Sequence, residues 1–284
     1  MSADVEERAQ EPEAALATPD RSRRPRIPNW IRHPLWWMPD IPAEQQRSFD
    51  RIWNRFETIA MIEDGRHDTD AWTSRAGDFI LCCVKIPREA LGPEYEDLRE
   101  TLGAATPVRL HPPEFLHITV QEIGFVVDKP SSRDEFTAAR LDEFLGYIDG
   151  PIGDFNPFTI ELAGINSFSD AAFFNIRDNG WLSRIHFRMR DFVIIPPNKH
   201  FPYLPITTIA NYTESAPAAD LRELLIPFRD TSFGTFQVEE IDILRLNVRE
   251  PYPELRIERT IKLGTHRIEA PVRPLPIDPL EDRI

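Results

Sequence analysis

Apolar positions change period several times along the chain, and each change marks an element. Between positions 45 and 62, Phe49, Ile52, Trp53, Phe56, Ile59 and Ala60 recur at helical intervals, which predicts an amphipathic helix. The pair Trp36 and Trp37 forms an aromatic approach to it. FILCCVKI at 79–86 is a short β-rich run stopped by Pro87, and 92–102 predicts a helix ending at Gly103. FLHITVQEIGFVV at 115–127 reads as the next strand, and 132–148 as a helix. After a turn at Gly150 and Pro151, 158–165 and 171–178 read as a strand pair, and 180–194 has helical spacing through Trp181, Ile185, Met189, Phe192 and Val193. YLPITTIANY at 203–212 predicts a strand, 217–226 a short helix, and 236–248 with 254–264 two long strands joined at Pro251 to Pro253. Strands with short links, interleaved with helices, predict an α+β sandwich, and the recurring order of strand, helix and strand predicts two similar halves.

Composition narrows the function. The chain has 284 residues, 41% of them hydrophobic, enough to bury a sizeable core. Its formal net charge is −14, from 33 Lys and Arg against 47 Asp and Glu. That balance disfavours broad binding of duplex DNA or an anionic membrane, so any phosphate must meet a local pocket. No uncharged run reaches the roughly 18 apolar residues of a membrane span, and the opening residues are acidic where a signal peptide is basic and then apolar; a cytoplasmic protein is expected. Cys82 and Cys83 are adjacent, point to opposite faces of a strand and staple nothing distant. No cofactor and no metal are expected.

Charge also marks the ends. Residues 1–20 are acidic, with Arg8 the one opposing charge, and Arg21, Arg23, Arg24, Arg26 and Arg32 follow. A charged tail is expected over 1–26, an extension carrying the amphipathic helix over 27–78, the two-lobed domain over 79–265 and a Pro-rich tail over 266–284. The basic stretch reads either as a solvated terminus or as an arm that contacts nucleic acid.

The strands at 115–127 and 203–212 have matching interiors. Alternate residues of an extended strand share a face, which puts His117, Thr119 and Gln121 on one face and Ile118 and Val120 on the other. In the second strand Ile206, Thr208 and Ala210 share one face, so Thr208 takes the place of Thr119. An imidazole two residues from a hydroxyl suits phosphate esters: it exchanges a proton near neutral pH while the hydroxyl donates to a phosphoryl oxygen. A packed structural histidine is the alternative for His117.

LHITVQEIGF resembles the first signature of the two-histidine (2H) phosphoesterase superfamily, which includes the 2′-5′ RNA ligase-like and cyclic phosphodiesterase proteins. LPITTIANY resembles the second, a proline, then H-x-T or H-x-S, an apolar residue and alanine, with Pro205, Thr208, Ile209 and Ala210 in register. VEEIDILRLNVREPYPELRIERTIKLG resembles the strand pair that closes the second lobe. The resemblance implies a bilobal α+β fold, two related lobes of antiparallel sheet plus helices around a central cleft. It implies His117 as general acid or base and Thr119 and Thr208 as phosphate donors, and it implies that Ile206 occupies a vacant second-histidine position. It further implies a hydrolase that acts on, or binds, 2′,3′-cyclic phosphate or 2′-5′-linked nucleotides and RNA ends, with weakened or altered catalysis. A catalytically inactive nucleotide-binding, RNA-binding or protein-interaction module on the same fold is the alternative; a scaffold without ligand is a third.

Further positions are weaker candidates. His200 and Tyr203 lie just before the second strand and are placed to fold toward the cleft, or to be a surface and a packing residue. Arg245 and Asn247 alternate with Leu244 and Leu246, facing either the cleft or water. His186, with Arg184, Arg188 and Arg190, makes a basic or simply solvated helix face. Glu239, Glu240 and Asp242 read as a solvated edge. Phosphate-loop, dinucleotide, nucleophile-elbow and zinc-helix motifs are absent from the sequence.

Overall fold

The computed structural model describes residues 40–66, 69–192 and 203–265. The expected tails at 1–26 and 266–284, the Trp36–Trp37 approach and His200 lie outside the described residues.

The first helix, α1 (Ile41–Thr58), starts four residues before its apolar period does. Asp40 caps it by accepting from the Ala43 amide at 3.3 Å, and Pro42 sits in the first turn, where no amide is missed. Phe49, Trp53 and Phe56 are its buried stripe. It stops at Thr58 because Ile59 is extended, and β1 (Met61–Ile62) replaces the expected last turn.

The chain continues through α2 (Asp70–Thr73), β2 (Asp78–Lys85), α3 (Pro93–Gly103), β3 (Val108–Leu110), β4 (His117–Val126) and β5 (Glu135–Phe136). The helix expected from position 132 starts only at α4 (Ala138–Tyr147), because Glu135 folds the approach into a turn. Its carboxylate accepts from the amides of Ser131 and Ser132, and β5 then pairs with β4 in parallel. After α5 (Asp149–Gly153) come β6 (Phe158–Ser167), β7 (Ala171–Arg177) and α6 (Trp181–Met189), then β8 (Ile206–Tyr212), β9 (Ala216–Pro217) and α7 (Ala218–Leu225). β10 (Ser232–Val238), β11 (Glu240–Leu246) and β12 (Arg256–Lys262) complete the order.

The long strand expected over 236–248 is two strands in two different sheets, β10 beside β6 and β11 between β2 and β12. The apolar alternation slips by one there. Val238 is buried in phase with Phe236, which packs on the core, while Ile241 and Ile243 restart the pattern one residue later. A one-residue slip moves every side chain to the other face, so the chain changes sheet at Glu239.

Two five-stranded sheets result, β12-β11-β2-β4-β5 and β10-β6-β7-β8-β3, with a two-stranded ribbon of β1 and β9. The orders correspond position by position: β4 and β8 each lie next to an edge, against the antiparallel partners β2 and β7. The two halves read from the sequence are therefore real, an α+β fold of two related sheets. The symmetry breaks at the edges, where β5 is parallel to β4 and β3 antiparallel to β8. The sheets approach each other through β4 and β8. The main core joins both sheets to the helices, and a smaller cluster of Phe79, Leu81, Cys83, Phe125, Leu244, Leu246 and Val248 covers the other face of the β2 sheet. Cys82 and Cys83 point to opposite faces, one into each cluster, and both are free thiols. No helix among the described residues is long and apolar enough to cross a membrane.

At Gly234 the backbone has φ +147° and lies so close to the 90–92 turn that an added Cβ would meet the Ala90 carbonyl oxygen at 1.7 Å. Gly234→Ala is expected to cost about 2 kcal/mol or more through strain and displacement of backbone. A lowered urea midpoint with unchanged slope is the expected readout; an unmoved midpoint would show that the turn yields freely.

Candidate functional site

Both threonine strands carry a β-bulge at the same place. In β4 the register with β2 shifts so that Cys83 opposes Thr119 while Cys82 opposes Gln121, leaving Val120 as the extra residue. In β8 the register with β7 shifts so that Phe173 opposes Thr208 while Ala172 opposes Ala210, leaving Ile209 extra. Opposed residues share a face and neighbours on one strand do not, so each bulge reverses the alternation after its threonine. By pairing, Gln121 and Ala210 leave the face of the threonines; Ala210 packs into the main core, while Gln121 still lines the cavity, so the strict alternation expected from sequence fails for β8 and holds in part for β4. Glu122 and Asn211 take their places, opposite Leu81 and Ala171. The cleft-side triplets are His117, Thr119, Glu122 and Ile206, Thr208, Asn211.

All six line one cavity of about 1520 Å³. The sequence candidates His117, Thr119, Thr208, Ile206 and Tyr203 are thus brought together, and His186 joins them. His200 lies outside the described residues. Arg245 is not among the lining residues: its guanidinium is held by Glu258 at 2.5 Å and by Asp78 at 3.5 Å. Here the apolar members of the alternation face inward, with Leu246 in the cavity wall beside Phe79, Leu81 and Val248.

His117 is partly buried at the start of β4. Its Nδ1 lies 2.7 Å from the Phe115 carbonyl oxygen, which only accepts, so Nδ1 carries the hydrogen and Nε2 presents a lone pair. Nε2 has no hydrogen-bond partner among the described residues. Burial holds the imidazole pKa below the usual histidine value, against the opposing pull of the Phe115 carbonyl. A neutral imidazole with a fixed tautomer is ready to take a proton.

Tyr203 and His186 act on β4 from behind the bulge. Tyr203 donates its hydroxyl hydrogen to the Thr119 carbonyl at 3.2 Å, and His186 Nδ1 donates to the Val120 carbonyl at 2.8 Å. Their rings stack at 4.1 Å and 9°. The two rings hold the carbonyls that the bulge turns out of the ladder, a positioning job that commits the Tyr203 hydroxyl and the His186 Nδ1. The basic helix face expected of His186 is thus half wrong: its imidazole faces inward. Burial, chiefly, pushes His186 down to a pKa of about 4.

That shift has a consequence for stability. The unfolded chain takes up a proton near pH 6.5 that the folded chain refuses until about pH 4, so stability is full above pH 6.5 and falls as pH drops toward 4. The full effect is about 3 kcal/mol. His186→Phe keeps the stack but removes the titration, and its urea stability is expected to vary less between pH 7 and 5 than that of wild type. An equal slope would assign the loss to other groups.

Sequence reading missed the wall formed by β3. Arg109 opposes Asn211 across β3 and β8 and so shares its face; His111 follows two residues on. Both line the cavity, as does Tyr252, whose ring lies 5.1 Å from His111 and 5.4 Å from Phe115. The polar alternation Arg109, Leu110, His111 was the available signal, but three residues are too few to establish a period.

Two related sheets, each contributing one bulged threonine strand to a shared cavity, define a mixed α+β fold of the 2H phosphoesterase type. The model of the 2′-5′ RNA ligase superfamily matches residues 87–250, more than half of the chain, and the chain belongs to that superfamily. No curated protein sequence matches it. Among solved structures, a protein of Thermus thermophilus is similar at 17% identity and a TM-score of 0.48, over 66% of this chain and 98% of its own. Two structures of E. coli LigT, complexed with 3′-AMP and with ATP, are similar at 15% and 16% identity, with TM-scores of 0.46 and 0.49. Each covers 66% of this chain and 98% of its own.

Proposed function

We propose that the protein binds, and slowly hydrolyses, 2′,3′-cyclic phosphate or 2′-5′-linked nucleotides and RNA ends, with residues 79–265 as the working unit. The observation that carries this reading is the convergence of His117, Thr119 and Thr208 on one cavity. The His117 imidazole, neutral and with Nε2 toward open space, takes the proton of the attacking oxygen. The two threonine hydroxyls donate to phosphoryl oxygens from opposite walls, and Arg109 adds positive charge to a protein of net charge −14. The apolar end of the cavity, with Phe79, Leu81, Leu246 and Val248, offers a surface for the flat face of a base. LigT has been crystallised with 3′-AMP and ATP, ligands of the same chemical class.

Ile206, where the superfamily signature has its second histidine, can move no proton. Catalysis is accordingly slow, and a binding module without turnover is the second reading. Hydrolysis of 2′,3′-cyclic nucleotides and of a 2′-5′-linked dinucleotide, with binding measured on the same samples, separates the two. Turnover supports the first, saturable binding alone the second, and the absence of both abandons both.

A further inference from the structure

We propose that His111, the residue just past β3, supplies the proton-transfer imidazole that the second signature strand lacks. The inference rests on the phosphoesterase reading above and names the group that reading leaves missing.

His111 is 5% exposed and lines the same cavity as His117. Its amide donates to the Ile209 carbonyl at 2.8 Å, which sets it level with the bulge of β8. Arg109 opposes Asn211, so His111, two residues further, faces the cleft between Asn211 and Thr208. His111 Nε2 lies 2.5 Å from Asn211 Oδ1, an oxygen that only accepts, so Nε2 carries a hydrogen. The bulge is what delivers this partner: in a regular strand Ala210 would stand there, with nothing to orient an imidazole. The ring therefore sits on the wall that Ile206 belongs to, held in one orientation by a neighbouring amide. It also shares a contact with the opposite wall. The Phe115 ring centroid lies 5.8 Å from that of His111 and 5.3 Å from that of His117, so the two imidazoles flank one phenyl ring.

In the step this assigns, a water oxygen attacks phosphorus and a P–O bond forms. The water proton passes to His117 Nε2. The bond from phosphorus to one ribose oxygen breaks, and the His111 imidazolium gives that oxygen its Nδ1 proton, while the other hydrogen stays on Nε2 in its bond to Asn211 Oδ1. The two imidazoles end in exchanged protonation states and are reset through solvent.

The test uses the full chain and a 2′,3′-cyclic nucleotide. His111→Gln is expected to lower kcat about 10²-fold or more, with KM changed little. Ile206→His built on His111→Gln is expected to return at least tenfold, a rescue that loss of a structural contact would not show. Asn211→Asp places a carboxylate beside the imidazolium, and the limb of the pH profile that reports the acid is expected to move upward. That readout does not depend on His111→Gln folding. If His111→Gln keeps kcat within twofold, or the pH profile of Asn211→Asp is unmoved, while His117→Ala is inactive, the inference is overturned and the phosphoesterase reading stands. If the wild type binds the nucleotide but never turns it over, His111 is no working acid and the binding reading alone survives. If it neither binds nor hydrolyses, both fall.

Discussion

Replacing His117 with alanine is expected to reduce hydrolysis of a 2′,3′-cyclic nucleotide by about 10²- to 10⁴-fold, the usual contribution of a positioned base. The side chain is partly buried, but it stands at the first residue of β4, and its side-chain hydrogen bond is to the Phe115 carbonyl two residues away. Folding should therefore survive. The loss should fall on kcat, because the threonines that hold the phosphoryl oxygens belong to other positions of β4 and β8. His117→Gln tests the same point with less change of volume: its amide can still donate to Phe115, yet it cannot take a proton. Equal activity in wild type and both variants would make His117 a packing residue and leave the cavity without a base. Since the imidazole is held neutral by burial, activity should also persist to pH values below 6.5, the point at which an exposed histidine would be half protonated.

Period and spacing made part of this legible in advance. The amphipathic stripe of α1 and the H-x-T pattern of β4 each lie within a single segment, and the two halves show as a recurring order of elements along the chain; such patterns survive without knowledge of partners. The bulges do not. Val120 and Ile209 are ordinary β-branched residues, and nothing in their identity says that the ladder slips beside them; the slip is a property of the pairing with β2 and β7. Glu122 and Asn211 were hidden for that reason, since alternation alone points to Gln121 and Ala210. His111 was hidden for another. Its role depends on contact with Asn211, 100 positions away, through a strand of three residues. Arg245 shows the reverse error: a polar residue alternating with leucines is taken for the functional face, while in the fold its charge is spent on Glu258 and Asp78 and the leucines look inward.

Placing a histidine at position 206 is expected to raise turnover. Ile206 opens β8 opposite Asn175, is partly buried and already lines the cavity beside Thr208. An imidazole of similar bulk enters there without emptying the main core, to which Ile206 does not belong, so the stability cost should stay near ~1 kcal/mol. With His111 retained, the gain in kcat for a 2′,3′-cyclic nucleotide is expected at about tenfold, because a second acid competes with one already in place. On a His111→Gln background it should rise toward about 10²-fold, the lower end of what a positioned acid contributes. The ordering of the two gains is the informative quantity. A larger gain in the wild-type background would mean that His111 and a histidine at 206 act in sequence rather than as alternatives. No gain in either, from folded variants that still bind the nucleotide, would place the limit on turnover outside position 206. The β8 wall would then limit turnover through more than position 206, with Asn211, which stands where β4 has Glu122, the nearest difference from the β4 wall.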